Sequence, residues 1–350
     1  MQRILVTGGL GFIGSHTSLL LIEKGYEILI VDSLINSSIK ALERINEIIN
    51  IKYPRMKNKL SFFKGDLRDE SFIRGIFLKQ NKIGKPITAV IHFAGLKSIN
   101  QSINEPLKYW DFNLVSTINL LKVMNLFECR TIVFSSSASV YGSSKIDLIN
   151  EDQKLDPINP YGLTKLTIEH LLANLYESSP DKWKIINLRY FNPIGAHPSG
   201  LLGEVPNGIP NNIFPLIMQV ALGEIEYFKI FGKNWPTRDG TGVRDYIHVM
   251  DLANGHFYGL EYLINNPPKI LNLNLGTGIG TSVLDLIKTF EIVNKINVPF
   301  QFSKRRKGDA AIVVADNSLV KNILKWKPEK NLEDMCRDGW KWMKLNQKGY

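Results

Sequence analysis

The chain has 350 residues and a formal net charge of +10, with 44% hydrophobic and 22% charged residues, the composition of an ordinary soluble globular protein of one large or two modest domains. No apolar run approaches the ~18 residues of a membrane span. Lysines are scattered apart from KRRKGD at 304–309, and no basic–aromatic alternation marks a nucleic-acid surface, which argues against membrane and nucleic-acid partners and leaves phosphorylated small molecules.

MQRILVTGG is already a strand running into a glycine loop, which leaves no room for a signal peptide. Cys129 and Cys336 are too few and too far apart for a disulfide framework or a zinc cluster, so a cytoplasmic setting is expected. Strand candidates are RILVTG, YEILIVD, LSFFKGD, ITAVIHFAG, RTIVFSSS and WKIINLRYFN, separated by helical stretches near 12–24, 37–50, 69–80, 105–127 and 160–178. This alternation predicts an α/β fold, a doubly wound, Rossmann-type parallel sheet with its ligands at the carboxyl ends of the strands. Those ends carry Thr7, Asp32, Asp66, Ala94, Ser135 and Asn192.

After about residue 192 Pro and Gly become frequent and regular alternation fades. Residues 191–350 therefore read as a smaller mixed α/β substrate-binding lobe beside a cofactor domain at 1–190. HVMDLANGHFYGLEYL reads as a helix and KILNLNLGTG as a strand and loop; the stretch 245–280 is expected to pack back onto the first domain.

The first strand runs into GGLGFIG, where Gly9, Gly11 and Gly14 satisfy GxGxxG and Gly8, Gly11 and Gly14 its GxxGxxG variant. Such glycines let a diphosphate approach backbone amides at a helix N-terminus. The strand before and helix after supply the context that a bare glycine motif lacks. Asp32 falls where a carboxylate grips the adenosine ribose and repels a 2′-phosphate, favouring NAD over NADP; Asp66 is placed to meet the adenine amino group.

In NPYGLTKL, Asn159 is a good N-cap and Pro160 suits the first helical position, so Tyr161 and Lys165 share a helix face. A phenol loses its proton near pH ~10, so this pair is chemical only if something nearby stabilises the anion. FSSSASVYG at 134–142, a hydroxyl-rich strand end, supplies a third group. Ser, Tyr and Lys together make the set of short-chain dehydrogenase/reductase enzymes. His92 and His248 read as structural, and no spacing suggests a metal site.

GGLGFIGSH, IHFAGLKSI, FSSSASVYG, NPYGLTK, LRYFNPIGAHPSG, IPNN, DGTGVRDYIHVMDLA, LNLGTG and RRKGD, in this order, resemble the UDP-glucose 4-epimerase family, an extended branch of that superfamily. The likeness runs from Ile4 to about Trp340. It implies reversible epimerisation at carbon 4 of a UDP-hexose through a 4-keto intermediate, with tightly bound NAD. Tyr161 would be the acid/base, Lys165 would lower its pKa and bind the nicotinamide ribose, and Ser137 would hold the 4-hydroxyl. Phe93, Ala94, Gly95, Lys97, Asn113, Ser135 and Tyr190 would line the nicotinamide half, Lys97 also facing the substrate. Phe12, Ile13, Asn36, Ser37 and Leu67 complete the expected cofactor set. Asn192 and Asn212 would hold the phosphates, Arg244 and Arg306 would neutralise the diphosphate, Asp309 would take the uridine ribose, and Phe231 would pack near uracil.

A 4,6-dehydratase would carry an acidic pair, as in TDEVYG, where this chain reads SASVYG; decarboxylating relatives fit GVRDYIHVMDLA and GAHPSG poorly. A redox-sensing NAD-binding regulator would have lost the catalytic set. Val313 stands where many family members carry a bulky tyrosine, which implies tolerance of N-acetylated UDP-sugars. The resemblance also implies a homodimer through 105–127 and 160–178.

Overall fold

β-branched residues pack well on a sheet buried on both faces, and all six apolar runs form strands. In the computed structural model these include β1 (Arg3–Thr7), β2 (Glu27–Asp32), β3 (Leu60–Lys64), β4 (Ala89–His92) and β5 (Thr131–Ser135), followed by Lys184–Tyr190. The structure describes residues 2–143, 148–205, 210, 212–306, 309–347 and 349–350; Ile209 and Asn211 of IPNN and Lys307 and Gly308 of RRKGD lie outside the described residues.

The chain divides into two compact units. The first comprises Met1–Val140, Pro157–Arg189 and Ala253–Leu273, and the second Tyr141–Asp156, Tyr190–Leu252 and Asn274–Tyr350. Against the expected 1–190 and 191–350, residues 141–156 group with the second unit, and only 253–273 of the 245–280 stretch groups with the first.

The sheet of the first unit has seven strands, ordered Lys269–Leu275, Lys184–Tyr190, β5, β4, β1, β2, β3. Val6 of β1 pairs in parallel with Ile30 of β2 on one side and Ile91 of β4 on the other. The chain therefore winds outward in both directions from β1, and the loops after β1 and β4 diverge at the switch point, where doubly wound sheets bind ligands. β1 and β4 are buried throughout, whereas β3, at the sheet's end, leaves Ser61 and Lys64 exposed. Leu5, Leu29, Val90, Ile132, Phe134 and Trp183 belong to one core with Phe77, Leu120 and Leu172 from flanking helices. Each such side chain contributes roughly 1.5–3 kcal/mol of burial.

Helices α1 (Phe12–Glu23), α2 (Ile39–Lys52) and α3 (Glu70–Lys82) follow β1, β2 and β3. The stretch expected as one helix over 105–127 is helical without a gap from Pro106 to Leu126, through Pro106–Tyr109, a π turn at Trp110–Val115, and Ser116–Leu126; a break at Glu105 separates it from the short helix Ile99–Asn104. Pro106 forces that break, because the residue before a proline avoids helical angles; Glu105 stands at φ −128°, ψ 57°. The π turn carries Asn113, whose Oδ1 accepts from Leu96 N (2.7 Å) and whose Nδ2 donates to Leu96 O (3.2 Å) and Thr164 Oγ1 (3.0 Å).

The second unit centres on the strand Val243–His248, which pairs in parallel with Asn192–Ile194 and Ile312–Ala315 and antiparallel with Gly280–Ser282. A separate parallel pair joins Phe228–Phe231 to Phe300–Ser303. This unit is more regular than its Pro- and Gly-rich sequence implies. Helices Ile213–Ala221, Val283–Asn294 and Leu332–Leu345 surround a core in which Phe290 meets Phe214 and Trp340 edge-on, centroids 6.0 and 5.6 Å away. The last helix starts at a capping box formed by Asn331 and Asp334, a signal present in the sequence.

Candidate active site

The glycine loop owes its shape to two close approaches. Gly8 lies at φ +66°, and a Cβ there would stand 2.7 Å from Ala94 N, so the loops after β1 and β4 meet only because residue 8 has no side chain. A Cβ on Gly14 would run into the Gly8 carbonyl. Gly11 is the N-cap of α1 and offers no side-chain acceptor, which leaves the first-turn amides around Phe12, Ile13 and Gly14 directed at the loop. These amides and the positive end of the helix dipole suit a diphosphate.

Asp32, 6% exposed, fastens this cradle. Its Oδ2 accepts from Leu10 N (3.0 Å), and its Oδ1 from Leu34 N (2.9 Å) and Ser37 Oγ (2.7 Å). A carboxylate offers about four acceptor positions, so one on Oδ2 remains for a sugar hydroxyl. Asn36 is exposed beside it. Asp66 is bound to Arg68 by both oxygens, at 2.7 Å for Nη2–Oδ2, and this guanidinium holds its carboxyl below the usual range. Arg68 also pairs with Asp111 and lies 3.6 Å from the centroid of Phe112, so an adenine amino group would share Asp66 with it. The Leu67 side chain is in the core, leaving only its backbone for a ligand.

Beyond β4, the Phe93 ring lies 4.7 Å from His256 and Ala94 packs against the core. Gly95 is held near Asn113, whose Nδ2 hydrogens both go to protein acceptors; Asn113 thus fixes this loop. Lys97 is exposed, its Nζ 6.0 Å from the Phe12 ring centroid. His92 is structural: its nitrogens meet Thr7 Oγ1 (2.7 Å) and Thr117 Oγ1 (2.9 Å), and burial pushes its pKa down to about 3.

Ser137, Tyr161 and Lys165 all lie in the first unit. Asn159 Oδ1 accepts from Gly162 N (2.8 Å) and starts the helix Pro160–Ser178. Tyr161 is 5% exposed, packed with Leu96, Tyr109 and Phe112. Lys165, also 5% exposed, has its Nζ 6.0 Å from the Tyr161 ring centroid and 4.7 Å from that of Phe134, and donates to Ser135 O (2.8 Å). Burial lowers its pKa to about 8, with Glu169 opposing. Ser137 Oγ accepts from Ser139 N (3.1 Å) and sits near Ser139 Oγ (3.1 Å).

In the second unit Phe231, Arg244, Arg306, Asp309 and Val313 come together. Arg306 lies 4.6 Å from the Phe231 ring centroid, and its Nε donates to Asp309 Oδ2 (2.9 Å). Arg244 is opposite Val313 in the strand pair and donates to Val243 O (2.9 Å) and Ala310 O (3.0 Å). Burial lowers its pKa, with Tyr246 and Asp309 opposing. Asn192 pairs with Tyr246, and the exposed Asn212 donates to Glu204 Oε1 (3.0 Å). Tyr190, half-buried, closes its strand. Asp245, not singled out from the sequence, accepts from Thr277 N (2.8 Å), Thr277 Oγ1 (2.6 Å), Gly278 N (2.9 Å) and Ala315 N (3.2 Å). It ties the LNLGTG loop and the Val313 strand to Arg244's strand; its place beside Arg244 in GVRDY was the available signal. His248 is also structural, its Nδ1 accepting from Met250 N (3.0 Å).

A family model described as GDP-mannose 4,6 dehydratase matches residues 5–339. The chain is 47% identical over 349 residues to a UDP-glucose 4-epimerase of Bacillus subtilis, covering 100% of this chain and 99% of that one. Among solved structures, the UDP-glucose 4-epimerase of Stenotrophomonas maltophila, with bound NAD and formylated UDP-arabinopyranose, superposes at a TM-score of 0.92, 43% identical, covering 99% of this chain and 98% of that chain. That of Bifidobacterium longum, in complex with NAD+ and UDP, gives 0.91 at 42% identity with 100% of both chains covered. Ala138 and Ser139 stand where the dehydratase reading requires an acidic pair. With full-length likeness to epimerases and no carboxylate at 138 or 139, the chain belongs to the family that model describes and, within it, to the UDP-glucose 4-epimerases.

Proposed function

We propose that the chain interconverts UDP-galactose and UDP-glucose at carbon 4, with Ser137, Tyr161 and Lys165 as its catalytic residues. The observation that carries this is a buried tyrosine whose helix also brings a buried ammonium close to its ring, beside a serine-rich strand end. A bound NAD would supply the hydride chemistry at carbon 4, which the protein's own groups do not provide. Tyr161 takes the proton of the 4-hydroxyl and later gives it back; Ser137 orients that hydroxyl. The Lys165 ammonium favours the phenolate, and at a pKa of about 8 it stays mostly charged at neutral pH. The glycine cradle with Asp32, Asn36, Ser37, Asp66 and Leu67 holds the adenosine diphosphate half, and Phe93, Ala94, Gly95, Lys97, Ser135 and Tyr190 line the nicotinamide half, with Asn113 fixing their loop. Arg244, Arg306, Asp309 and Phe231 hold the UDP, together with Asn192 and Asn212. A substrate gripped by its nucleotide leaves the hexose free to turn, which inversion requires.

Purified protein given UDP-galactose is expected to form UDP-glucose, and Tyr161→Phe to lose roughly 10²–10⁴-fold in kcat while retaining NAD. No UDP-glucose from protein carrying intact NAD would refute the epimerase reading.

The small Val313 frees volume for an acetamide, so UDP-N-acetylglucosamine is also a substrate. Val313→Tyr should then reduce its turnover while sparing UDP-galactose; a wild-type enzyme with no activity on the N-acetylated sugar would exclude this. The protein is cytoplasmic, a reading supported by two buried free thiols, and no described helix is long and apolar enough to cross a membrane. It is a homodimer: Leu107, Val115, Leu126 and Leu163 are 83%, 39%, 57% and 42% exposed on the helices implicated in pairing.

A further inference from the structure

The helix Pro160–Ser178 carries another buried polar residue one turn beyond Lys165 that the chemistry above does not use. Glu169 is 4% exposed, and positions 161, 165 and 169 fall along one stripe. Its Oε1 accepts from Ser136 Oγ (2.5 Å) and Arg189 Nε (3.1 Å), and its Oε2 from Arg189 Nη2 (2.7 Å). Arg189 is 2% exposed. A buried ion pair of this kind is weak evidence for stability, because desolvation offsets most of its attraction.

Its surroundings give it a second role. Ser136 lies between Ser135, whose carbonyl accepts from Lys165, and Ser137, and its own N–H donates to Leu188 O (2.9 Å). Glu169 therefore grips the turn that presents both groups. Around the ammonium, β5 contributes the Phe134 ring, β4 the neutral His92, and the helix itself Tyr161 and Glu169. Arg189, from the strand Lys184–Tyr190, is paired to Glu169. Glu169 is the carboxylate that opposes the effect of burial on Lys165.

We propose that Glu169, clamped by Arg189 and Ser136, is a positioning residue that keeps the Lys165 ammonium charged and aimed, and so acts on Tyr161 through Lys165. This rests on the Tyr161–Lys165 reading, which the Tyr161→Phe variant tests separately. In the NAD-loaded enzyme two quantities are followed: the basic limb of the kcat profile, and the Lys165 titration by NMR of ¹³C-lysine protein, assigned with Lys165→Arg. Glu169→Gln is expected to move both down by about one pH unit or more, with KM for UDP-galactose changed less than roughly twofold. Because that variant takes the carboxylate away from the buried Arg189, Glu169→Gln/Arg189→Met removes both charges and should show the same lowered limb. Glu169→Asp keeps the charge and should restore the limb. Ser136→Ala should lower kcat without moving it. A folded double variant with wild-type limb and Lys165 titration would overturn the proposal, as would an Asp variant shifted as far as the Gln variant.

Discussion

Lys165 shows how a single residue is destabilising and useful at once. Its ordinary pKa of 10.5 is lowered to about 8 by burial. Between those values the unfolded chain binds the extra proton, so stability rises with pH through that window, and below about 8 the full cost of burying the ammonium applies. The shift corresponds to about 3 kcal/mol at neutral pH, an upper figure because the ammonium also donates to Ser135 O. In the cofactor-free protein Lys165→Met is therefore expected to raise the unfolding free energy at pH 7 and to flatten its rise between pH 8 and 10, measured by denaturant titration. Epimerase activity should fall sharply in the same variant. Equal stability of the two proteins at every pH would contradict this account of the site.

At the scale of elements, the helix Pro160–Ser178 formed where the sequence placed it, because cap, proline and apolar spacing agree. In the proposed mechanism its start also sets the chemistry, since Tyr161 is its second residue. Asn159→Ala removes the bond to Gly162 N and is expected to cost about 1 kcal/mol, read by denaturant unfolding. As the first turn loosens, kcat should fall while KM is nearly unchanged. The stretch 105–127 was legible as helical, and it is helical over 106–126. Pro106 was a visible start, but the π turn was not legible: it is held by Asn113 bonding to Leu96 and Thr164, partners distant in the chain. The second unit's helices were less legible still, as frequent Pro and Gly masked the capping box at Asn331.

On the scale of the whole molecule, pairing of two copies would cover side chains the single chain leaves in water. Leu107, 83% exposed, tests this most directly: Leu107→Glu should shift a dimer to monomer in light scattering while leaving the far-ultraviolet spectrum unchanged. A wild-type protein that is already monomeric would remove the reading.

The sequence by itself determined what short-range chemistry dictates: the alternating strands and helices, the glycine loop, the carboxylate at Asp32, the capped helix bearing Tyr161 and Lys165, and the motifs that mark the family. These depend on spacing, turn geometry and residue type within a few tens of positions. Only the tertiary structure decided that Asp66 is bound to Arg68, that Asn113 locks the loop after β4, that Asp245 ties three segments of the second unit, and that Glu169, one turn beyond Lys165, is paired with Arg189. Those contacts join residues brought together by folding or leave unclear from sequence which neighbour a charge will choose, and in a buried site that choice follows from desolvation, since each charge must find the partner that the packed strands bring within reach.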